Sequence, residues 1–162
     1  MKWLGLCKTK TIADYRPIIY LEEGGGYALV RSKSGRAVVA KVEAGRGCVG
    51  VSREVAVLLY PELGWEYMPV EAPFWIEEVE PLKASRVVMR VPFGIGEVLV
   101  RRQLLGYPIY EGTIALEFLD HIEFGEVVHV EPRDFSIVAE NTNFRLVEVP
   151  VDENEVVYMR RR

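Results

Sequence analysis

Few residues in this chain are of the types that do chemistry, and the densest group lies between positions 121 and 131. His121 and Glu123 precede the tripeptide Phe124-Gly125-Glu126, and His129 and Glu131 follow it. Read as a hairpin turn, that tripeptide puts each pair on one face of its own strand, because side chains alternate with period two. Two imidazoles and two carboxylates form a donor set for zinc or another divalent ion. A ligating imidazole also needs a partner that fixes its orientation, and the sequence points to none. An exposed strand face with solvated polar residues is therefore the preferred reading. Cys7 and Cys48 lack the close spacing of metal ligands. Reduced, buried thiols are the usual state in a cytosol. A Cys7–Cys48 bridge is the alternative, of the kind that intracellular proteins of hyperthermophiles form.

Other catalytic machinery is not recognisable. There is no G-x-S-x-G nucleophile elbow, and neither cysteine sits in a nucleophile motif. The phosphate loop G-x-x-x-x-G-K-[ST] does not occur, and there is not even a Gly-Lys pair. ATP hydrolysis by that route is excluded, no cofactor is expected, and the chain reads as a non-enzyme. The net charge of -4 divides unevenly. Residues 1–50 carry nine Lys/Arg against four Asp/Glu, and residues 51–162 carry eleven against twenty. The basic set Lys8, Lys10, Arg31, Lys33 and Arg36 could face nucleic acid, but it is dispersed along the chain and reads better as a solvated surface. No apolar run reaches membrane-span length, and the N-terminus turns charged too soon for a secretory signal. A cytoplasmic protein is expected. Its single Gln and three Asn beside abundant charge fit a thermophile.

These residues need elements to place them. Arg36–Ala44 and Gly47–Ser52 are rich in β-branched residues and parted by Gly45-Arg46-Gly47, a turn signal. Ser52 is a helix N-cap by type, for a short helix through Leu59 that Pro61 ends. Pro69 and Pro73 make Met68–Phe74 an edge strand or strand end. Glu77–Ala84 is polar and contains Pro81, so it reads as a connector between two units. Beyond it come a strand over Ser85–Phe93 and a helix over Gly94–Gly106, with Ile95, Val98, Leu99 and Leu105 on one face. Strands follow at Tyr107–Tyr110, Thr113–Leu119, Val127–Val130, Ser136–Ala139 and Phe144–Val149. Short connections predict antiparallel pairing.

Two segments also match each other: IIYLEEGGGYALV, Ile18 to Val30, and LLYPELGWEYMPV, Leu58 to Val70. They share Tyr20/Tyr60, Glu22/Glu62, Gly24/Gly64, Tyr27/Tyr67 and Val30/Val70. Two copies suit a pseudo-twofold barrel better than a solenoid.

EVLVRRQLLGYPIYEG (Glu97–Gly112), followed by VVHVEPRDFSIVAENT (Val127–Thr142), resembles the second subdomain of the N-domain of valosin-containing-protein-type AAA ATPases, archaeal VAT-type proteins included. Val38–Glu71 is similar to the second half of that family's first subdomain. The resemblance implies a mainly β chain: a double-psi β-barrel over residues 1–82, a β-clam over 83–152, and a charged tail over 153–162, with two short helices. The ubiquitin-fusion-degradation adaptor shares that fold. The family's Gly-Asp turn pairs appear here as Gly25-Gly26, Trp65-Glu66 and Gly112-Thr113, and the first half-barrel is short and lacks the family's helix. With no motor sequence, the chain reads as a complete, free-standing recognition module.

The resemblance implies protein partners: an AAA ATPase, an adaptor or an unfolded client, held in the cleft between subdomains without chemistry. Tyr107, Tyr110, Phe93 and Tyr67 are the candidate cleft anchors, because tyrosine buries area at low rotamer cost and keeps a polar handle. The alternatives are a nucleic-acid-binding barrel using the basic N-terminal half, and a metal-dependent enzyme at His121/His129.

Overall fold

The computed structural model describes residues 2–63 and 72–149. It is mainly β, with two short helices and one 3-10 turn. The first unit contains β1 (Lys2–Leu6), β2 (Ile18–Leu21), β3 (Tyr27–Arg31), β4 (Ala37–Ala44), β5 (Gly50–Val51) and β6 (Ala72–Val79). These close into a six-stranded barrel in the order β1-β5-β2-β4-β3-β6. The alternation in β4 shows why: Val38, Ala40 and Val42 point inward, and Val39 and Lys41 point out. Ile19, Val30, Val51 and Phe74 fill the interior with Val55 and Leu59 of helix α1 (Arg53–Leu59). Ser52 caps that helix as its type predicts, accepting from Val55 N–H at 3.3 Å. Its hydroxyl also donates to Arg16 O at 2.6 Å, which ties the helix start to the chain entering β2.

The second unit contains β7 (Arg86–Pro92), α2 (Glu97–Leu104), β8 (Pro108–Ile109), β9 (Gly112–Phe118), β10 (His121–Glu131), β11 (Ser136–Ile137) and β12 (Asn143–Val149). Four strands form an open sheet in the order β12-β7-β10-β9, and β8 pairs with β11. Val87, Met89, Leu116 and Val127 pack under Val100 and Leu104 of α2.

Several expectations are corrected. Short connections do not make every pair antiparallel, since β1–β5, β2–β4 and β12–β7 are parallel. Of the expected edge strand or strand end, Ala72–Phe74 is the start of a strand and not an edge, since β6 bonds to β1 and to β3 and closes the barrel, with Pro73 opposite Trp3, while residues 68–71 lie outside the described residues. Glu77 and Glu78 lie inside β6, so the connector shortens to residues 80–85. In α2 the buried residues are Val100 and Leu104, while Val98 is 72% exposed. Ile95, buried just before the helix, is not on its face.

The largest correction concerns β10, which runs unbroken through Phe124-Gly125-Glu126. The glycine serves strand contact, not a turn: a Cβ on Gly125 would stand 2.6 Å from Arg90 O of β7. The hairpin turn falls instead at Leu119 and Asp120, with φ of 50° and 65°, the left-handed geometry that two-residue hairpins require. The internal match also fails where it can be followed. Tyr20 lies in β2 and Tyr60 caps the end of α1, so this pair sits in unrelated elements, while Gly64, Tyr67 and Val70 lie outside the described residues. Tyr67, Trp65 and the 153–162 tail lie outside the described residues.

Candidate functional site

Where the barrel meets the second unit, three tyrosine hydroxyls cross the seam. Tyr27 of β3 donates to Gly106 O at 2.7 Å. Tyr107 donates to Glu43 of β4 at 3.4 Å, and Lys41 stands 4.7 Å above its ring. Tyr110 donates to Glu54 of α1. Its ring stacks on Phe135 with centroids 4.8 Å apart.

Beside Glu54 lies Arg16, only 2% exposed, in the link between the 3-10 turn (Ile12–Tyr15) and β2. Its Nη1 reaches Tyr15 O at 3.5 Å, while Nε and Nη2 donate to no protein acceptor among the described residues. Both nitrogens belong to a residue lining a small cavity of about 20 Å³, together with Pro17, Tyr110 and Thr113. Burial lowers the Arg16 pKa from 12.5, opposed by Tyr107, Glu54 and Tyr110 nearby. Burial also raises Glu54 above 4.5, opposed by the Tyr110 hydrogen bond and the charges of Arg16 and Arg53. The Tyr110 hydroxyl is pushed far up by burial and by Glu54. Arg16 and Glu54 both belong to the barrel unit, so the bond that Tyr110 donates to Glu54 is what links this buried pair to the second unit, and losing either charge strands the other in a poorly solvated place.

Outside this buried cluster the seam opens into a cleft. Tyr15 projects from the 3-10 turn onto β10, meeting Phe124 edge-on with centroids 5.9 Å apart. On one side of Tyr15 is a chamber of about 280 Å³, walled by Arg53, Thr113, Ala115 and Phe124. On the other is one of about 460 Å³, walled by Lys10, Asp14, Glu117, Asp120 and Ile122. Phe124 is 55% exposed, and the Arg53 guanidinium lies 5.7 Å from the Tyr15 ring. A third hollow of about 390 Å³ lies against Val39, Val79, Leu82 and Phe135.

The structure brings together two of the four aromatic candidates. Tyr107 and Tyr110 are at the seam, half-buried and turned onto the barrel, not into open cleft. Phe93 is 62% exposed beside Gly94, at whose position a Cβ would stand 3.5 Å from the Phe118 ring. Phe118 belongs to the core-facing side of β9, away from Glu117 and Ile122 of the cleft. Tyr67 is among the residues not described.

The histidine set is not one cluster. His121 and His129 lie eight residues apart on a single strand, roughly 26 Å at strand rise. His121 Nε2 pairs with Glu123 at 2.6 Å, and His129 lies between Glu111 and Glu131 at 3.7 and 3.6 Å. The Glu123 bond and the Leu119 carbonyl raise the His121 pKa. Among the described residues no group of three or more His, Cys, Asp or Glu is placed to hold a metal ion. Cys7 and Cys48 are bridged, with Cα atoms 6.1 Å apart. The basic residues split in two: Lys8 and Lys10 lie between β1 and the 3-10 turn, and Arg31, Lys33 and Arg36 belong to the β3–β4 hairpin.

Sequence reasoning passed over Tyr15, Arg16, Glu54 and Phe124. One signal was available: Arg16 stands alone between Tyr15 and the apolar run Pro17-Ile18-Ile19, where a charge has no reason to sit unless it has a buried role.

No helix among the described residues is long and apolar enough to cross a membrane. A scan against protein-family models finds no match, and no curated protein matches the sequence.

Proposed function

We propose that this chain is a protein-recognition module without chemistry of its own, holding partner segments or unfolded clients in the cleft between the barrel and the second sheet. The observation that carries this reading is the Tyr15–Phe124 pair. Two aromatic rings meet edge-on, Tyr15 lining both chambers and Phe124 the smaller one, and Phe124 remains more than half exposed. An aromatic pair with a charged rim is the arrangement in which a few residues supply most of the affinity for a protein partner. Here Lys10, Asp14, Glu117, Asp120 and Arg53 form the rim.

The resemblance to AAA ATPase N-domains supports the same reading and names the partner classes: an AAA ATPase, an adaptor or an unfolded client, met in the cytoplasm. The double-psi chain path in the barrel and the clam form of the second unit belong to this proposal. So does the shift of the anchors from Tyr107 and Tyr110, which hold the two units together, to Tyr15 and Phe124, which line the opening.

The test uses a labelled, permanently unfolded client followed by fluorescence anisotropy. Phe124→Ala should weaken binding about ten-fold, near 1.4 kcal/mol, with little change in thermal stability because the ring is exposed. Equal affinity for wild type, Phe124→Ala and Tyr15→Ala would remove the cleft from the account.

A further inference from the structure

The two ends of the Cys7–Cys48 bond stand in different surroundings. Cys7, just after β1, is 5% exposed. It forms a small buried cluster with Ile18 and Tyr20, against which Ala13 and Tyr107 pack. Its N–H donates to Val51 O at 2.8 Å, and a Cβ on Gly50 would stand 2.9 Å from its sulfur. Cys48 is exposed, in the turn that precedes β5. That turn has one main-chain bond of its own, Gly47 N–H to Gly45 O at 3.0 Å, and is tied to β2 by Gly45 N–H to Leu21 O at 2.8 Å. The chain doubles back so tightly there that a Cβ on Gly45 would fall 1.8 Å from Cys48 O. The bond also staples the thinnest kind of seam in the barrel, since β1 and β5 are paired only at Gly5↔Gly50 and Leu6↔Val51.

Thiol–disulfide exchange needs an approachable sulfur and a leaving thiolate that its surroundings can stabilise. In this bond the approachable sulfur is Cys48, so Cys7 must be the leaving group. Cys7 would leave into an apolar cluster, where a thiolate is penalised. Of the two partly buried residues packed against that cluster, Ala13 belongs to the barrel and Tyr107 to the second unit, so a movement that lifts the second unit from the barrel uncovers the Tyr107 side of the cluster and brings water toward Cys7.

We propose that the Cys7–Cys48 bond is a redox modification site for dithiol reductants, gated by the seam: attack falls on Cys48, and the step is fast only when Tyr107 withdraws from the Cys7 cluster. The reductant's thiolate bonds to Cys48 Sγ as the Cys7–Cys48 bond breaks. Cys7 departs as thiolate and takes a proton from water. The reductant's second thiolate then displaces Cys48, which departs as thiolate and also takes a proton from water, closing a disulfide in the reductant; two electrons pass to the protein, and its two thiols draw their protons from the solvent that took up those of the reductant. Reduction releases the Gly45–Val49 turn and leaves β1 and β5 with their two-residue register alone.

The experiment follows reduction of the intact, folded protein by dithiothreitol, with thiols trapped by an alkylating agent and located by mass spectrometry. Tyr107→Ala should be reduced about ten-fold faster than wild type, through easier local opening. Tyr107→Phe keeps the covering ring and loses only the 3.4 Å hydroxyl bond to Glu43, so it should be accelerated much less than Tyr107→Ala. Val30→Ala, in the barrel core away from Tyr107, separates local gating from global unfolding and should accelerate reduction less than Tyr107→Ala. With glutathione, a monothiol, the adduct should appear on Cys48. A wild-type rate for Tyr107→Ala, a Val30→Ala rate that equals or exceeds it, or an adduct on Cys7 would each overturn the proposal.

Discussion

The barrel and the second sheet solve the same problem in different ways. Every barrel strand has a neighbour on both sides, so the closed sheet leaves no edge to protect. The second sheet has two edges. One, β9, is covered in part by a side chain: Gln103 of α2 donates to Glu117 O at 2.7 Å and accepts from Glu117 N–H at 2.8 Å, acting as a short stretch of strand. At the other edge, β12 has β7 alone as neighbour among the described residues. A unit whose main-chain valences close on themselves depends on its own core, whereas one with open edges leans on helices, loops and the neighbouring barrel. The difference teaches that the barrel should be the platform and the second unit the element docked on it.

The largest effects test that order of dependence. Phe74 is fully buried in the barrel, with its ring edge-on to Tyr60 at 5.5 Å, and Phe74→Ala should cost about 3–5 kcal/mol. Met89 is equally buried in the second unit, and Met89→Ala should cost about 2–5 kcal/mol. Hydrogen exchange distinguishes the two better than their size does. Phe74→Ala should lower protection in both units, because α1 carries the Glu54 that holds Tyr110. Met89→Ala should lower it in β7, β10 and β12 while β3 and β4 stay protected. If Met89→Ala loosens both units alike, the molecule is one cooperative body and the platform account is wrong.

A smaller effect sharpens the seam itself. Tyr110→Phe removes the donor to a buried carboxylate and should cost about 1–3 kcal/mol. It should also carry a pH signature. Glu54 has a folded pKa raised above 4.5, so its contribution is fully present below that value and is lost as pH rises through the folded pKa. The Tyr110 bond opposes that rise, so its removal pushes Glu54 further up and extends the falling limb to higher pH. Glu54→Gln should flatten this limb. Urea unfolding across that pH range reads both, and a slope that Glu54→Gln leaves unchanged would assign it to other groups.

Much of the element pattern was legible in the sequence, because period-two runs, the Ser52 cap and the Pro61 stop act locally. What misled were residues whose reason is tertiary. Gly125 looked like turn chemistry and is a close approach to Arg90 O, while the true turn at Leu119-Asp120 carries no glycine. Glu77 and Glu78 read as connector because they are charged, yet they are β6 residues paired with Leu29 and Ala28 on a closed barrel. Of the candidate site, the tyrosines around Pro108 were visible as an aromatic pair, but not the direction they face. Arg16 and Glu54 meet across 38 positions of sequence, a coincidence that only the folded chain creates.

The smallest expected effect lies at an exposed pair on the second sheet, on the same face as Phe124, since Glu126 stands two residues further along β10. Arg90 and Glu126 stand in register on β7 and β10, with Nη1 and Oε1 3.2 Å apart. On geometry alone this pair looks as good as any polar contact across the seam. Its side chains, however, are 59% and 53% exposed, so water already solvates both charges and little is gained by their meeting. A double-mutant cycle with Arg90→Ala and Glu126→Ala should give a coupling of about 0.2–1 kcal/mol, fading in 1 M salt as the charges are screened. The same cycle on Tyr110 and Glu54 should give more and resist salt, because both partners are shielded from solvent. A coupling at Arg90–Glu126 that equals the seam value and survives salt would mean that this face is not simply solvated. The division between a stabilising seam and the solvated part of that face would then have to be redrawn.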